Sequence, residues 1–237
     1  MAHDLVLSSG FLAFARHNGV IAALQQAGVA IDGVCGTSSG AVVGALFAAG
    51  YDAEAIERAL SDRRPYSLMR PSPTPWRGLA RLDAFVRHLE SLLPATFADL
   101  QRPLALGVVA PGGRHLLLTE GPLAPAVAAS CAMPGVFEPI EVGGTTYRDG
   151  GAADRLALEP WRRWRPGKQA IAHQVRRTAG KDQPLDLEGI TLLQTPRSGA
   201  SFWSLGDYPA QVRETAALVR DALDPLQSTD RTGTIDH

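Results

Sequence analysis

Several features that would quickly assign a sequence to a class are scarce here. There are two cysteines in 237 residues, Cys35 in an apolar strand-like run and Cys131 in an apolar helix-like stretch. That is no disulfide framework; both read as small core hydrophobes, which fits a reducing compartment. No stretch of about 18 uncharged apolar residues occurs, so nothing reads as a membrane span. The opening Met1 to Asp4 runs directly into strand-like Leu5-Val6-Leu7, without the basic region, apolar run and cleavage site of a secretory leader. A cytoplasmic location is expected. The formal net charge is −1 and no Lys/Arg run forms a basic tail, which argues against nucleic acid as a partner. No His/Cys/Asp cluster has metal-ligand spacing, and no phosphate-loop lysine accompanies the glycines. Neither metal nor cofactor is expected.

What is present is an ordinary globular balance, 45% hydrophobic and 20% charged, which at this length predicts one large α/β domain over 1–226 and a frayed polar tail over 227–237. Residues 4–7 read as a short buried strand, 8–11 as a turn, and 13–27 as a helix with Val20, Ile21, Leu24 and Ala27 on one face, stopped by Gly28. A second strand enters at Val29. Two strand-helix units in about fifty residues imply a parallel sheet covered by helices, because parallel neighbours require crossover connections. Ligands in such sheets gather at the carboxyl ends of the strands.

One of those ends carries a chemical signature. The run Val34-Cys35 leads into Gly36-Thr37-Ser38-Ser39-Gly40, and the small-residue stretch Ala41-Val42-Val43-Gly44-Ala45-Leu46 follows at once as a helix. A sharp strand-to-helix turn lifts its central residue clear of the sheet, and Gly36 and Gly40 remove the Cβ atoms that would collide. Ser38 occupies the centre, and the helix start aims unpaired N–H groups at the same place.

A second stretch lies more than a hundred residues later. Tyr147 and Arg148 end a hairpin-like strand, with Asp149 at its tip and Gly150-Gly151 behind it. Asp before Gly-Gly is often only a turn. Beside a serine it has another use: a hydroxyl is a poor nucleophile until a base takes its proton, and a carboxylate within reach can do so.

Four stretches, 7–20, 36–40, the run Ser130-Cys131-Ala132-Met133-Pro134-Gly135-Val136-Phe137, and 147–151, together make the chain resemble the patatin-like phospholipase family, in matching order and spacing. The resemblance implies a three-layer α/β/α fold with a mainly parallel central sheet, a lipid or acyl-ester substrate, and hydrolysis by a Ser-Asp dyad. In that dyad Ser38 is the nucleophile and Asp149 the general base, supported by Gly150 and Gly151. No catalytic histidine is required, and His17 in the first helix reads as packing or loop support. Where the family carries Ser-Gly-Gly-Gly-x-Arg-Gly, this chain has Ser8-Ser9-Gly10-Phe11-Leu12-Ala13-Phe14. The backbone N–H groups of Gly10 and Phe11 are the expected oxyanion donors. The family's basic residue falls on Ala13, and Arg16 is the candidate substitute.

The proline-rich segment 65–76 reads as an irregular loop, either a lid or a passive connection. Residues 82–93 read as an amphipathic core helix, 104–110 and 115–118 as a hairpin, 122–132 as a short helix, 170–176 and 190–194 as strands, and 208–223 as a closing helix. The alternation Trp161-Arg162-Arg163-Trp164-Arg165 suits an anionic membrane surface, making peripheral membrane contact one expectation; a surface loop with inward tryptophans and solvated arginines is the favoured alternative. Three functions stay open at this point: a lipid acyl hydrolase, an acyltransferase that passes the acyl-serine to another alcohol, and a non-catalytic lipid-binding protein, which the reduced glycine triplet permits. Oligomeric state leaves no mark in the sequence.

Overall fold

The computed structural model describes residues 2–61, 63–177 and 184–228. Its first strand, β1 (His3–Leu7), is buried throughout, and the two-residue period of a strand sends Leu5 and Leu7 into one apolar cluster and Val6 into another. A strand covered on both faces has no solvent side, which is why Leu5-Val6-Leu7 shows no polar alternation. Helix α1 (Phe14–Gln26) crosses back, and β2 (Ile31–Thr37) pairs parallel to β1. Every residue of α2 (Ser39–Ala48) is buried, as its almost uniformly apolar composition requires.

The remaining elements complete the layers. They are α3 (Ala53–Ser61), a two-stranded ribbon β3 (Arg70–Pro71) and β4 (Ala80–Arg81), α4 (Asp83–Glu90), β5 (Leu104–Val109), β6 (His115–Leu118) and α5 (Leu123–Ser130). There follow β7 (Ile140–Val142), β8 (Thr145–Asp149), α6 (Leu158–Trp164), β9 (Ala170–Val175), β10 (Ile190–Thr195) and α7 (Tyr208–Ser228). The main sheet runs β10-β9-β1-β2-β5-β8-β7, with β6 paired to β5 off that path. From β10 to β5 every pairing is parallel, while β6, β7 and β8 are antiparallel. Five carboxyl ends therefore share one edge.

The fold is a three-layer α/β arrangement with a mainly parallel central sheet. Helices α1, α2, α4, α5 and α7 bury their apolar residues with Leu5 and Leu7, and α6 covers the other face with Leu158 and Trp161 against Val6, Cys35 and Ala105. That second outer layer is thin. Trp161, 1% exposed, fills much of it.

Three expectations change. Segment 65–76 is not wholly irregular: Pro65 opens a single 3-10 turn over Pro65–Leu68, and Pro71 sits in the edge ribbon. Both positions suit a residue without an N–H, the first turn of a helix and the margin of a sheet. Thr74 donates to Glu138 Oε1 at 2.8 Å, fastening the segment to the chain beyond α5. The Trp-Arg alternation is the C-terminal half of α6 and its C-cap, Arg165, with Trp161 in the core. Its arginines are largely paired, not solvated: Arg162 donates to the carbonyls of Asp186 and Glu188 at 3.1 and 2.9 Å, and Arg165 meets Asp4 and Asp32. Finally, Gln227 and Ser228 continue α7, so the helix extends past residue 223; 229–237 lie outside the described residues.

Candidate active site

The turn between β2 and α2 is one residue long, and that residue is Ser38, at φ 55° and ψ −118°. A non-glycine residue in this region carries about 1–3 kcal/mol of backbone strain and persists only where its surroundings over-determine it. The surroundings here are explicit. A Cβ on Gly36 would overlap the Gly40 carbonyl, and one on Gly40 would overlap the Leu7 carbonyl. The Ser38 N–H donates to Ser130 Oγ at 2.9 Å, and Ser130 Oγ donates onward to the Gly107 carbonyl at 2.7 Å. Helix α5 and strand β5 thus brace the turn.

Asp149 ends β8, beside Val108 of β5, and its N–H donates to the Ala132 carbonyl at 3.0 Å. Its side chain accepts from the Gly151 N–H at 2.7 Å. A Cβ on Gly150 would strike the Gly107 carbonyl and one on Gly151 the Ser9 side chain, so only glycines let this tip close down on β5 and on the loop after β1. Burial pushes the Asp149 carboxyl up to about 6, against the opposing pull of hydrogen bonds from the Ser38 hydroxyl and the Gly151 N–H. A base near that value accepts a proton at neutral pH far more readily than an ordinary aspartate.

Ser38 and Asp149 line one cavity of about 710 Å³ together with Ser9, Gly10, Phe11 and Gly151. The Gly10 carbonyl accepts from Ala13 N–H at 3.3 Å, closing a turn whose third residue, Leu12, is forced to φ 46°. Among the described residues, the N–H groups of Gly10, Phe11 and Leu12 meet no protein acceptor. The Phe11 ring, 42% exposed, stacks edge-on against Phe202 at 5.0 Å between centroids.

Arg16 does not reach the cavity. It pairs with Glu214 at 2.8 Å and contacts Thr215, joining α1 to α7. The arginine at this loop is Arg155, which no local pattern singled out: its guanidinium donates to the Ser9 and Val175 carbonyls, both at 2.7 Å, clamping the loop after β1 to the end of β9. Cys35 is a core residue, whereas Cys131 lines the cavity and its thiol donates to the Ser38 carbonyl at 3.3 Å. Burial raises the Cys131 thiol pKa well above its usual value, which keeps it protonated. His17 lies behind the turn, its Nε2 3.2 Å from Ser39 Oγ and its Nδ1 2.8 Å from Nδ1 of His173. Burial lowers His17 to about 3 and His173 well below its ordinary value, so both are neutral supports of α2.

The family model of patatin-like phospholipases matches residues 5–160. An uncharacterised NTE family protein of Mycobacterium tuberculosis is 35% identical over 160 residues, 66% of this chain and 44% of that protein. A second from the same organism is 32% identical over 237 residues, 95% of this chain and 36% of the relative. The chain thus spans less than half the length of either. Among solved structures, VipD from Legionella pneumophila has a TM-score of 0.59 at 14% identity, covering 97% of this chain and 67% of that one. At such identity the likeness is one of fold. No described helix is long and apolar enough to cross a membrane.

Proposed function

The chain belongs to the patatin-like phospholipase family, and on that premise we propose that it is a serine acyl hydrolase acting on lipid or related acyl esters through Ser38 and Asp149. One observation carries the reading: a serine held at φ 55° shares a cavity with a buried carboxyl raised to about 6. Asp149 takes the Ser38 proton as Oγ attacks the ester carbonyl carbon. The carbonyl electron pair moves to oxygen, where the N–H groups of Gly10 and Phe11 receive it. Collapse expels the alcohol, which leaves with the proton held by Asp149. A water molecule, deprotonated by the same carboxylate, then attacks the acyl-serine; the acid departs and Ser38 regains its proton.

Other features support the assignment. The cavity is mainly apolar, with Leu60, Leu68, Leu82 and Phe85 from α3, the 3-10 turn, and α4 with its N-cap on one wall, which suits an acyl chain. The loop that lost two family glycines keeps three N–H groups without a protein acceptor among the described residues, so the reduced triplet does not by itself remove the donors. Turnover of a medium-chain p-nitrophenyl ester tests the proposal. The wild-type chain hydrolyses it and Ser38→Ala loses at least about 10³-fold in kcat; equal rates in the two proteins rule the assignment out.

A further inference from the structure

The loop after β1 is held firmly at its base and lightly at its apex. At the base, Val175 N–H donates to Ser8 Oγ at 3.0 Å and the Arg155 clamp fixes Ser9. At the apex, Leu12 packs on the main apolar cluster, and the Ala13 N–H closes the turn on the Gly10 carbonyl at 3.3 Å, the long end of hydrogen-bond lengths. The N–H groups of Gly10 and Phe11 meet no protein acceptor among the described residues, so they add no restraint. What remains is the Phe11 ring. It stands where the family carries a glycine, which has no side chain to anchor. It meets Phe202 with centroids 5.0 Å apart and planes at 89°, the edge-to-face geometry that aromatic quadrupoles favour.

Phe202 belongs to a strap with explicit anchors of its own. Between β10 and α7, Ser201 and Ser204 exchange backbone hydrogen bonds at 2.7 and 3.3 Å, which places Phe202 and Trp203 at the tip. One buried side chain of α7 gathers both ends: Gln211 Oε1 accepts from the Gly199 N–H and Gln211 Nε2 donates to the Leu205 carbonyl, each at 3.0 Å. Such a loop, closed at its base, is a compact unit. Its tip is tied to the 3-10 turn on the aliphatic wall, because the Tyr66 N–H donates to the Phe202 carbonyl at 2.9 Å and the Tyr66 and Trp203 rings lie 5.2 Å apart. The strap therefore runs from that wall to the oxyanion loop, and Phe11, Phe202 and Leu68 all line the cavity.

We infer that Phe202 is a positioning residue: its ring holds the Phe11 ring, and so keeps residues 10–12 in the closed turn that leaves the Phe11 N–H without a protein acceptor. This rests on the acyl-hydrolase reading for the use of that N–H, and adds to it the element that fixes the donor. The Phe11 ring hangs from the same Cα as the N–H that receives the oxyanion, so a fixed ring limits the swing of that peptide. Oxyanion donors act through preorganisation, and a donor free to turn away loses much of its effect. One ring pair shifts such an equilibrium by about two- to tenfold.

Ester kinetics and amide exchange test this together. With p-nitrophenyl acetate, whose acyl group is too short to use the aliphatic wall, Phe202→Ala lowers kcat about tenfold and leaves KM within about twofold. Phe202→Tyr, which keeps the ring, stays within about twofold of wild type in kcat. Phe11→Ala, which keeps the backbone donor, loses the same factor as Phe202→Ala, and combining the two costs nothing more. By NMR, the Ala13 amide, bonded to the Gly10 carbonyl, exchanges with solvent about tenfold faster in Phe202→Ala than in the wild type. Losses that multiply in the double variant overturn the proposal, as does a Phe202→Tyr chain as slow as Phe202→Ala. A raised KM at constant kcat overturns it too and makes Phe202 a substrate contact, and an unchanged Ala13 exchange rate has the same force. A wild-type chain without esterase activity removes the hydrolase reading alone, and the Ala13 comparison then decides whether Phe202 holds the loop.

Discussion

The two edges of the central sheet treat charge and strain in opposite ways. At the amino edge, Asp4 of β1 is fully buried yet fully matched: it accepts from Trp161 Nε1 at 2.9 Å and from Arg165 at 3.0 and 3.2 Å. Asp32 of β2 accepts from Arg165 and Lys168 at 2.7 and 2.6 Å, and the Lys168 hydrogen bond chiefly holds its carboxyl below the ordinary value. At the carboxyl edge, Asp149 is nearly as buried but has no cationic partner in its immediate hydrogen-bond set, and burial raises it. Two non-glycine residues, Leu12 and Ser38, are held at positive φ there. One edge spends its charges on holding the molecule together, and the other keeps a carboxyl and a hydroxyl in states that folding alone would not choose.

The contrast can be broken most strongly at Asp149. Asp149→Asn keeps the acceptor for Gly151 but removes the base, and kcat for an ester falls by about 10²–10⁴-fold; full retention of rate points to another activator. The same variant gains stability. Burial holds the native carboxyl at about 6 while the unfolded one keeps the ordinary aspartate value of about 3.8, so between those pH values the native state holds a proton that the unfolded state has released. Stability is therefore lost as pH rises through that window, and the deficit is constant above it. At pH 8 Asp149→Asn is more stable by about 3 kcal/mol, and at pH 4 the gain is small; denaturant titrations at the two pH values measure it.

The amino edge responds in the other sense. Asp4→Asn leaves the Arg165 guanidinium beside a neutral amide and lowers stability by about 2 kcal/mol, with kcat unchanged, a split that paired melts and ester assays detect. The smallest effect is at the rim: Lys168→Ala costs less than about 0.5 kcal/mol, because its partner Asp32 and its own ammonium are both well solvated. A loss as large as that of Asp4→Asn would show the edge to be one coupled network.

Local pattern made much of the fold legible. The unbroken Leu5-Val6-Leu7 run, the helical spacing through α1 and the Pro111–Gly113 hairpin, with Gly112 and Gly113 at φ 79° and 81°, are each written within a few neighbouring residues. The turn at Ser38 was legible for the same reason. The braces around it were not. Ser130 reaches Ser38 across 92 positions and Arg155 reaches Ser9 across 146, and a serine in an apolar helix or an arginine after a turn has no periodicity that announces such a partner. The Trp-Arg alternation misled in the same way: its partners Asp4 and Asp32 are more than a hundred residues away, so paired arginines looked like solvated ones.

The most direct test of the account is covalent labelling of the wild-type chain by a fluorophosphonate across pH 4 to 8, with the modified residue located by peptide mass spectrometry. The account predicts a single adduct on Ser38 whose rate of formation rises with a midpoint near the pKa of Asp149, about 6, and loses that pH dependence in Asp149→Asn. No adduct, an adduct on another residue, or a rate indifferent to Asp149 would contradict it.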